Sequence, residues 1–452
     1  MIRTLEAFAA ACHGQLLGAD RVFDEVAIDT RRLAPGNLFV ALRGAHADGH
    51  SFLPEALAAG AAGALVSRPA DLPLAQIVVS DVELALAEAA RAARAQFHGV
   101  VIGVAGSNGK TTVKEMLSAI LARRGPCLAT RGNLNNHLGV PITLLRLGDA
   151  HRSAVIEMGA NRRGEVEQLV QIARPSIGLI TNAGAEHLEG FGSLEGAARA
   201  EGEMVAGLPA SGTAVINADD SYATLWHAMS AAPSVTFGLR PEADFRAEQL
   251  HWEADAAGFR AGFRLICPQG TTSVTLALAG RHNVQNALAA AAAAVSAGAS
   301  LGEVAAGLAA MRAVKGRLQL WRTRHGAWLI DDSYNANPSS VRAGLLVLAD
   351  LPGRRWCVLG DMAELGSYAE ASHREIGALA RSLGIERLYA LGALAALAAD
   401  AFGAGAQRFD SAADLARALD AELGPDVRVL VKGSRSNRLE RVVDALVPDR
   451  AA

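Results

Sequence analysis

Val101-Ile-Gly-Val-Ala-Gly-Ser-Asn-Gly-Lys-Thr-Thr112 decides how the rest of the chain is read. Val100, Val101, Ile102 and Val104 are uncharged β-formers and predict a strand buried on both faces. Gly106 and Gly109 allow a tight turn whose N–H groups approach an anion. Lys110 adds a mobile positive charge, and Thr111 adds a hydroxyl able to ligate Mg²⁺. The helical spacing of 113–123 then aims a helix N-terminus at the same point. Val104 breaks the strict G-x-x-x-x-G-K-[ST] pattern. The shorter Gly106-Ser107-Asn108-Gly109-Lys110-Thr111-Thr112 remains, with the strand before and the helix after that a triphosphate cradle requires.

At 452 residues the chain has room for about three domains. A hydrophobic content of 51% against 20% charged lets each of them bury a core. The formal net charge of −3 and the lack of a basic run argue against a nucleic-acid surface. No signal-peptide pattern opens the sequence, and the Ala-rich run 287–297 is too short to cross a bilayer. Cys12, Cys127, Cys267 and Cys357 form no C-x-x-C pair, so neither zinc nor a disulfide framework is indicated. A cytoplasmic chain without membrane insertion is expected. Only four lysines occur, Lys110, Lys114, Lys315 and Lys432, so a lysine kept among many arginines suggests a chemical need.

The pattern alternates helix and strand throughout, which predicts an α/β protein with three domains, at 1–82, 83–312 and 313–452. The first reads as a small module: a helix over 5–17, a strand over 26–30, a second strand over 38–42, a polar loop at 46–50, a helix at 56–62 and a strand at 63–67. Thr30 and Arg31, at a predicted strand end, could hold a phosphate or carboxylate, although Thr-Arg alone also suits a surface turn. A helix over 81–98 bridges into the second domain. There Thr130-Arg-Gly-Asn133-Leu-Asn-Asn136 forms a polar loop whose amides suit a mixed ligand.

Strand after strand then ends in chemistry. Ser153-Ala-Val-Ile-Glu157 carries a carboxylate to a strand's C-terminal end, where ligands of open α/β sheets sit. Ser176-Ile-Gly-Leu-Ile180 leads to His187. Lys110 with Thr111, Glu157 and His187 thus follow three strands of one parallel sheet, a joint site that no single residue would justify. Residues 235–278 are richer in strand signals, and Gly280-Arg-His-Asn-Val-Gln-Asn286 opens the Ala-rich helix with Asn286 on its first turn. From Met311 on, Lys315-Gly-Arg317, Asp332-Ser-Tyr334-Asn335-Ala-Asn-Pro338 and Arg428-Val-Leu-Val-Lys432 belong to a second parallel unit, with a helix starting at Ser339 or Ser340.

Together these stretches resemble the Mur ligase family over essentially the whole chain. The motifs that carry the likeness are Asp29-Thr-Arg-Arg, Gly106-Ser-Asn-Gly-Lys-Thr-Thr, Gly132-Asn-Leu-Asn-Asn, Glu157-Met-Gly, His187-Leu-Glu-Gly-Phe-Gly-Ser and Gly280-Arg-His-Asn-Val-Gln-Asn. In the last third they are Lys315-Gly-Arg, Tyr334-Asn-Ala-Asn-Pro, Gly360-Asp-Met-Ala-Glu-Leu-Gly and Lys432-Gly-Ser-Arg. The resemblance implies a small N-terminal substrate-binding module, a central parallel-sheet ATPase-like domain and a C-terminal Rossmann-like domain. It implies an ATP- and Mg²⁺-dependent ligase joining D-alanyl-D-alanine to UDP-N-acetylmuramoyl-tripeptide through an acyl phosphate. Such a ligase would act as a monomer in peptidoglycan synthesis, and hence in cell-wall biogenesis, cell shape and cell division. Carried over residue by residue, Lys110 would bind the β/γ-phosphates, with Ser107, Asn108 and Thr112 in the same cradle. Thr111 and Glu157 would hold one Mg²⁺, and His187 would help to hold a second. Asn286 would meet adenine, Arg317 the γ-phosphate and Asp332 the ribose. Thr30 and Arg31 would face the uridine diphosphate, and Asn133, Asn136, Tyr334 and Asn335 the peptides.

One stretch departs from the family pattern. Where an Ala-Lys-x-Glu context would carry a lysine carbamate, this chain has Ala200-Glu201-Gly-Glu203, and no lysine lies between 114 and 315. Glu201 would then supply the carbamate's charge on a shorter arm, or else point to solvent. Rival readings are a sister ligase with another acceptor, an ATP-driven switch protein and a kinase.

Overall fold

The computed structural model describes residues 1–44, 47–255 and 258–447, arranged as three sheets flanked by helices. His46, in the polar 46–50 loop, and residues 448–452 at the end of the third predicted domain lie outside that set. The first sheet has five strands in the order Gln15–Leu17, Gln76–Val78, Gly63–Val66, Leu38–Val40, Val26–Ala27. Its first pair is antiparallel and the rest are parallel.

The central sheet has nine strands, and the strand Val100–Ala105 lies inside it, parallel to both Ser153–Glu157 and Ile177–Ile180. The three strands that lead to Lys110, Glu157 and His187 are therefore immediate neighbours, with their C-terminal ends on one edge. Beyond Phe245–Asp255 the sheet turns antiparallel through Gly258–Cys267 and Gly270–Leu276, which accounts for the strand-rich 235–278 region. Helices Lys110–Leu121, Arg281–Ser296 and Leu301–Ala310 cover one face. The run Ala287, Ala289 to Ala294 is fully buried, and small side chains let that helix lie close to its neighbours. Helices Val82–Ala95, Gly139–Leu144, Glu165–Ala173 and Leu194–Ala206 cover the other face, in a core continuous with that of the first sheet.

The third sheet has six strands ordered Gln319–Arg322, Trp328–Asp332, Val427–Lys432, Arg354–Gly360, Arg387–Leu391, Ala406–Phe409, parallel apart from the first. Its core joins Ile330, Leu345, Leu348, Leu359 and Leu430. No helix among the described residues is long and apolar enough to cross a membrane.

Several local expectations are corrected. The helix over 5–17 stops at Ala11; His13 takes a positive φ and Gln15–Leu17 becomes a strand, because it pairs with Gln76–Val78. That partner strand and the edge strand Gln319–Arg322 have too little periodicity of their own to be predicted. The strand over 26–30 ends at Ala27, and Thr30–Arg32 forms a 3₁₀ turn capped by Asp29. The helix placed at Ser339 or Ser340 is Pro338–Ala349, because Asn337 caps it and Pro338 fits its first position. Asn286 falls on the second turn of Arg281–Ser296 rather than the first.

Candidate active site

The glycine-rich loop sits at the C-terminal edge of the central sheet. Gly109 takes φ +85° as the cap of helix Lys110–Leu121, and a Cβ there would lie 2.4 Å from Asn286 Oδ1. Only glycine combines that left-handed backbone with the close approach. Neighbouring segments anchor the loop from below. Asn182 O accepts from Ser107 N at 2.8 Å, Asn182 Oδ1 accepts from Asn108 N at 3.0 Å, and Thr181 Oγ1 donates to Asn108 O at 2.6 Å.

Thr111 and Glu157 meet as the strand order requires. Thr111 Oγ1 donates to Glu157 Oε1 at 3.2 Å, and Asn135 Nδ2 donates to the same oxygen at 2.9 Å. Glu157 is 2% exposed, and its other oxygen, Oε2, is buried without a hydrogen-bond partner. A buried carboxylate oxygen left unpaired is costly unless something else satisfies it. From the third sheet's side, Arg317 Nη2 donates to Thr111 Oγ1 at 3.1 Å, with its guanidinium 4.6 Å above the Tyr334 ring. Arg317 thus reaches a hydroxyl that lies 206 positions away in the sequence.

Lys110 is enclosed by anions. Its Nζ donates to Gly106 O, to Ser107 O at 3.2 Å and to Glu186 Oε1 at 3.1 Å. Burial alone would lower its pKa; the carboxylates of Glu186, Glu201 and Glu157 outweigh that and hold it above the usual lysine range. Glu201 is 2% exposed and lies under the loop, where its Oε2 accepts from Gly106 N at 2.6 Å. Burial pushes its carboxyl up to about 7, against the pull of Lys110 and with a further push from Glu186. Of the two placements expected for Glu201, the solvent-facing one does not occur.

The third sheet closes the cleft. Parallel register sets Asp332 opposite Lys432, and Lys432 Nζ reaches Asp332 Oδ2 at 2.6 Å and Asn335 O at 3.0 Å. His187, itself in a left-handed conformation, pairs through Nδ1 with Glu364, from the loop after Arg354–Gly360. The cleft between the two sheets measures about 660 Å³, within the usual span for small-molecule sites.

Three family models match: Mur ligase family, catalytic domain, at residues 22–103; Mur ligase middle domain at 104–294; and Mur ligase, glutamate ligase domain, at 316–435. The chain belongs to the Mur ligase family. It is 45% identical to the UDP-N-acetylmuramoyl-tripeptide–D-alanyl-D-alanine ligase of Escherichia coli over 98% of both chains. It is 36% identical to the Haemophilus influenzae protein of the same name over 97% of both. A crystal structure of MurF from Acinetobacter baumannii superposes with a TM-score of 0.89 at 34% identity, covering 96% of each chain. MurF from Thermotoga maritima, solved in complex with ADP, gives 0.79 at 25%, covering 93% of this chain and 96% of that one.

Within this Mur ligase, Lys110, Thr111, Glu157, His187, Asn286, Arg317, Asp332, Tyr334 and Asn335 all line one cleft, together with Ser107, Asn108, Thr112, Asn133 and Asn136. Asn136 spends its Oδ1 on Leu138 N and Gly139 N at the start of a helix, whereas Asn135 is the amide that touches Glu157. Thr30 and Arg31 lie apart from the cleft, and the exposed Arg31 guanidinium pairs with Asp29 at 2.7 Å. Four residues escaped the sequence reading: Asn135, Asn182, Glu186 and Asn337. The run of three asparagines could have flagged Asn135. Nothing local marks Glu186 above the histidine beside it.

Proposed function

We propose that this Mur ligase joins D-alanyl-D-alanine to UDP-N-acetylmuramoyl-tripeptide with hydrolysis of ATP to ADP and phosphate. The observation that carries the reading is that Lys110, on a phosphate-type loop, and Arg317, which reaches Thr111 Oγ1 of that loop from the third sheet's side, line one cleft. The likeness over 98% of both chains to a ligase named for that specificity supports the substrates. In this reading residues 1–82 hold the nucleotide-sugar end, with Thr30 and Arg31 toward it. Residues 83–312 bind ATP, and residues 313–452 close over it.

A carboxylate is a poor acylating agent, because its oxygen is too basic to leave. The tripeptide carboxylate therefore attacks the γ-phosphorus, the bond to the β-phosphate oxygen breaks, and ADP departs. The dipeptide amine then attacks the acyl phosphate carbon, loses a proton, and inorganic phosphate leaves with the C–O bond. Both steps gather negative charge, so cations must be placed beforehand. Lys110 supplies one from the loop and Arg317 a second from across the cleft. Asp332, fixed by Lys432, presents its free oxygen to the ribose, and Asn286 presents its amide to adenine. Tyr334, Asn335, Asn133 and Asn136 line the approach of the peptides.

The residues present fit one Mg²⁺. Thr111 Oγ1 and the unpartnered Glu157 Oε2 are hard oxygen donors, and Mg²⁺ binds through one or two such groups plus phosphates. Bound there, it would neutralise phosphate charge. A second Mg²⁺ at His187 does not fit as well: one imidazole, already paired with Glu364, is a poor donor set for a hard cation. Glu201 acts on the loop, setting the direction of the Gly106 N–H with a buried carboxylate where the family pattern has a longer anion.

Phosphate release from ATP and Mg²⁺ tests the reading. It should require both UDP-N-acetylmuramoyl-tripeptide and D-alanyl-D-alanine, and mass spectrometry should find the pentapeptide nucleotide. Release that ignores the dipeptide would refute it.

A further inference from the structure

Glu186 has no place in the chemistry above, yet it occupies the centre of the site. The residue is 8% exposed. One oxygen takes the Lys110 ammonium at 3.1 Å, and the other accepts from Asn337 Nδ2 at 3.1 Å. Asn337 belongs to the third sheet's side. Its Oδ1 caps helix Pro338–Ala349, and its Nδ2 also reaches Asn108 Oδ1 at 2.8 Å.

An ammonium has three N–H donors. In this structure all three have acceptors: Gly106 O, Ser107 O and Glu186 Oε1. Lys110 is folded back over its own loop, with no donor left for a phosphate. Gly106 O and Ser107 O belong to a backbone that Asn182 and Glu201 hold in place. The one acceptor free to leave is the Glu186 side chain. A phosphate oxygen and Glu186 are like charges competing for one cation, so both cannot sit there without repulsion.

We propose that Glu186 is an internal stand-in for a nucleotide phosphate. Without nucleotide it neutralises Lys110 and, through Asn337, ties the glycine-rich loop to the domain across the cleft. An arriving triphosphate displaces it, and its departure takes one of the two acceptors from Asn337 Nδ2, leaving the Asn108 contact alone. The cost of that displacement is subtracted from the affinity for ATP, and it couples phosphate arrival to the contact between the two domains. The inference rests on the nucleotide-binding reading of the loop, but not on the identity of the peptide substrates.

The test is Glu186→Gln in the full chain. Glutamine keeps the size and an acceptor oxygen for Lys110, and it removes the charge. Isothermal titration with ATP and with inorganic tripolyphosphate should show Kd falling by about threefold or more for both, the scale of one partly screened ion pair. Adenosine, which has no phosphate to compete, should bind unchanged. In steady state, KM for ATP should fall more than kcat changes. An ATP Kd that is unchanged or higher would overturn the proposal, as would a large loss of kcat with a raised Mg²⁺ requirement, which would make Glu186 a metal-holding group. Glu186→Ala should move both Kd values in the same direction and covers the case in which the glutamine variant misfolds. If the wild-type chain bound no ATP, the nucleotide reading would fall first; if it did and neither variant bound more tightly, this inference alone would fall.

Discussion

Replacing Glu201 with glutamine should stabilise the protein at alkaline pH while impairing its activity. The carboxyl is buried beneath the glycine-rich loop, and burial raises its pKa from 4.5 to about 7 even with Lys110 nearby. The sign follows from proton counting. Between those two values the native state binds more protons at Glu201 than the unfolded state does, so native stability falls as pH rises through that window. Above about pH 7 the ionised carboxylate is disfavoured in the native state by the whole shift. At about 1.4 kcal/mol per unit, that amounts to roughly 3 kcal/mol. Glutamine carries no such penalty, and its amide oxygen can still accept from Gly106 N. The stability gain of Glu201→Gln over wild type should therefore be small near pH 4.5, rise to roughly 3 kcal/mol by pH 8, and then level off. Urea denaturation followed by the fluorescence of Trp226, which packs against the helix carrying Glu201 through a hydrogen bond to Ala198 O, reads it out at pH 5 and pH 8. A variant less stable than wild type at pH 8, or a difference that ignores pH, would refute the argument. Ligase turnover should fall in the same variant, since the loop loses the anion that orients it.

His282 should produce the opposite slope. Burial, aided by Lys432, depresses its pKa from 6.5 to about 4, so native stability is lost as pH falls through that window, and His282→Asn should flatten the loss in acid denaturation. Because the two slopes oppose each other between about 4.5 and 6.5, variant-minus-wild-type differences are the informative quantity. Asp332→Asn leaves Lys432, 3% exposed, without its carboxylate; a loss of about 3 kcal/mol in urea titration is expected, partly recovered by Lys432→Met in the double variant. Gly109→Ala places a Cβ 2.4 Å from Asn286 Oδ1 at φ +85°, and ATP binding measured by titration should weaken by about tenfold or more. Arg317→Ala removes the cation supplied from across the cleft, and kcat should fall by about 10³, with ADP affinity changed far less.

The readable parts of the fold were those with a short-range signature. A buried run of Val100 to Val104 followed by Gly106-x-x-Gly109-Lys110 is a local pattern, and it correctly placed the strand, the loop and the helix. Glu157 was legible for the same reason, as a carboxylate at the end of an apolar run. The short pairing strands Gln15–Leu17 and Gln76–Val78 were not, because three residues do not establish a period and only the partner strand makes them strands.

By itself the sequence determined the α/β class, the phosphate loop and the family, since each rests on residue types at fixed spacing. Tertiary structure decided which side chains complete the site. Asp332 meets Lys432 one hundred positions away because the Trp328–Asp332 and Val427–Lys432 strands are neighbours in register. Glu201 turns under the loop, and Glu186, not His187 beside it, takes the lysine. Asn337 caps its own helix and reaches across the cleft at once. Strand order and domain apposition set these pairings, and neither leaves a trace in local periodicity.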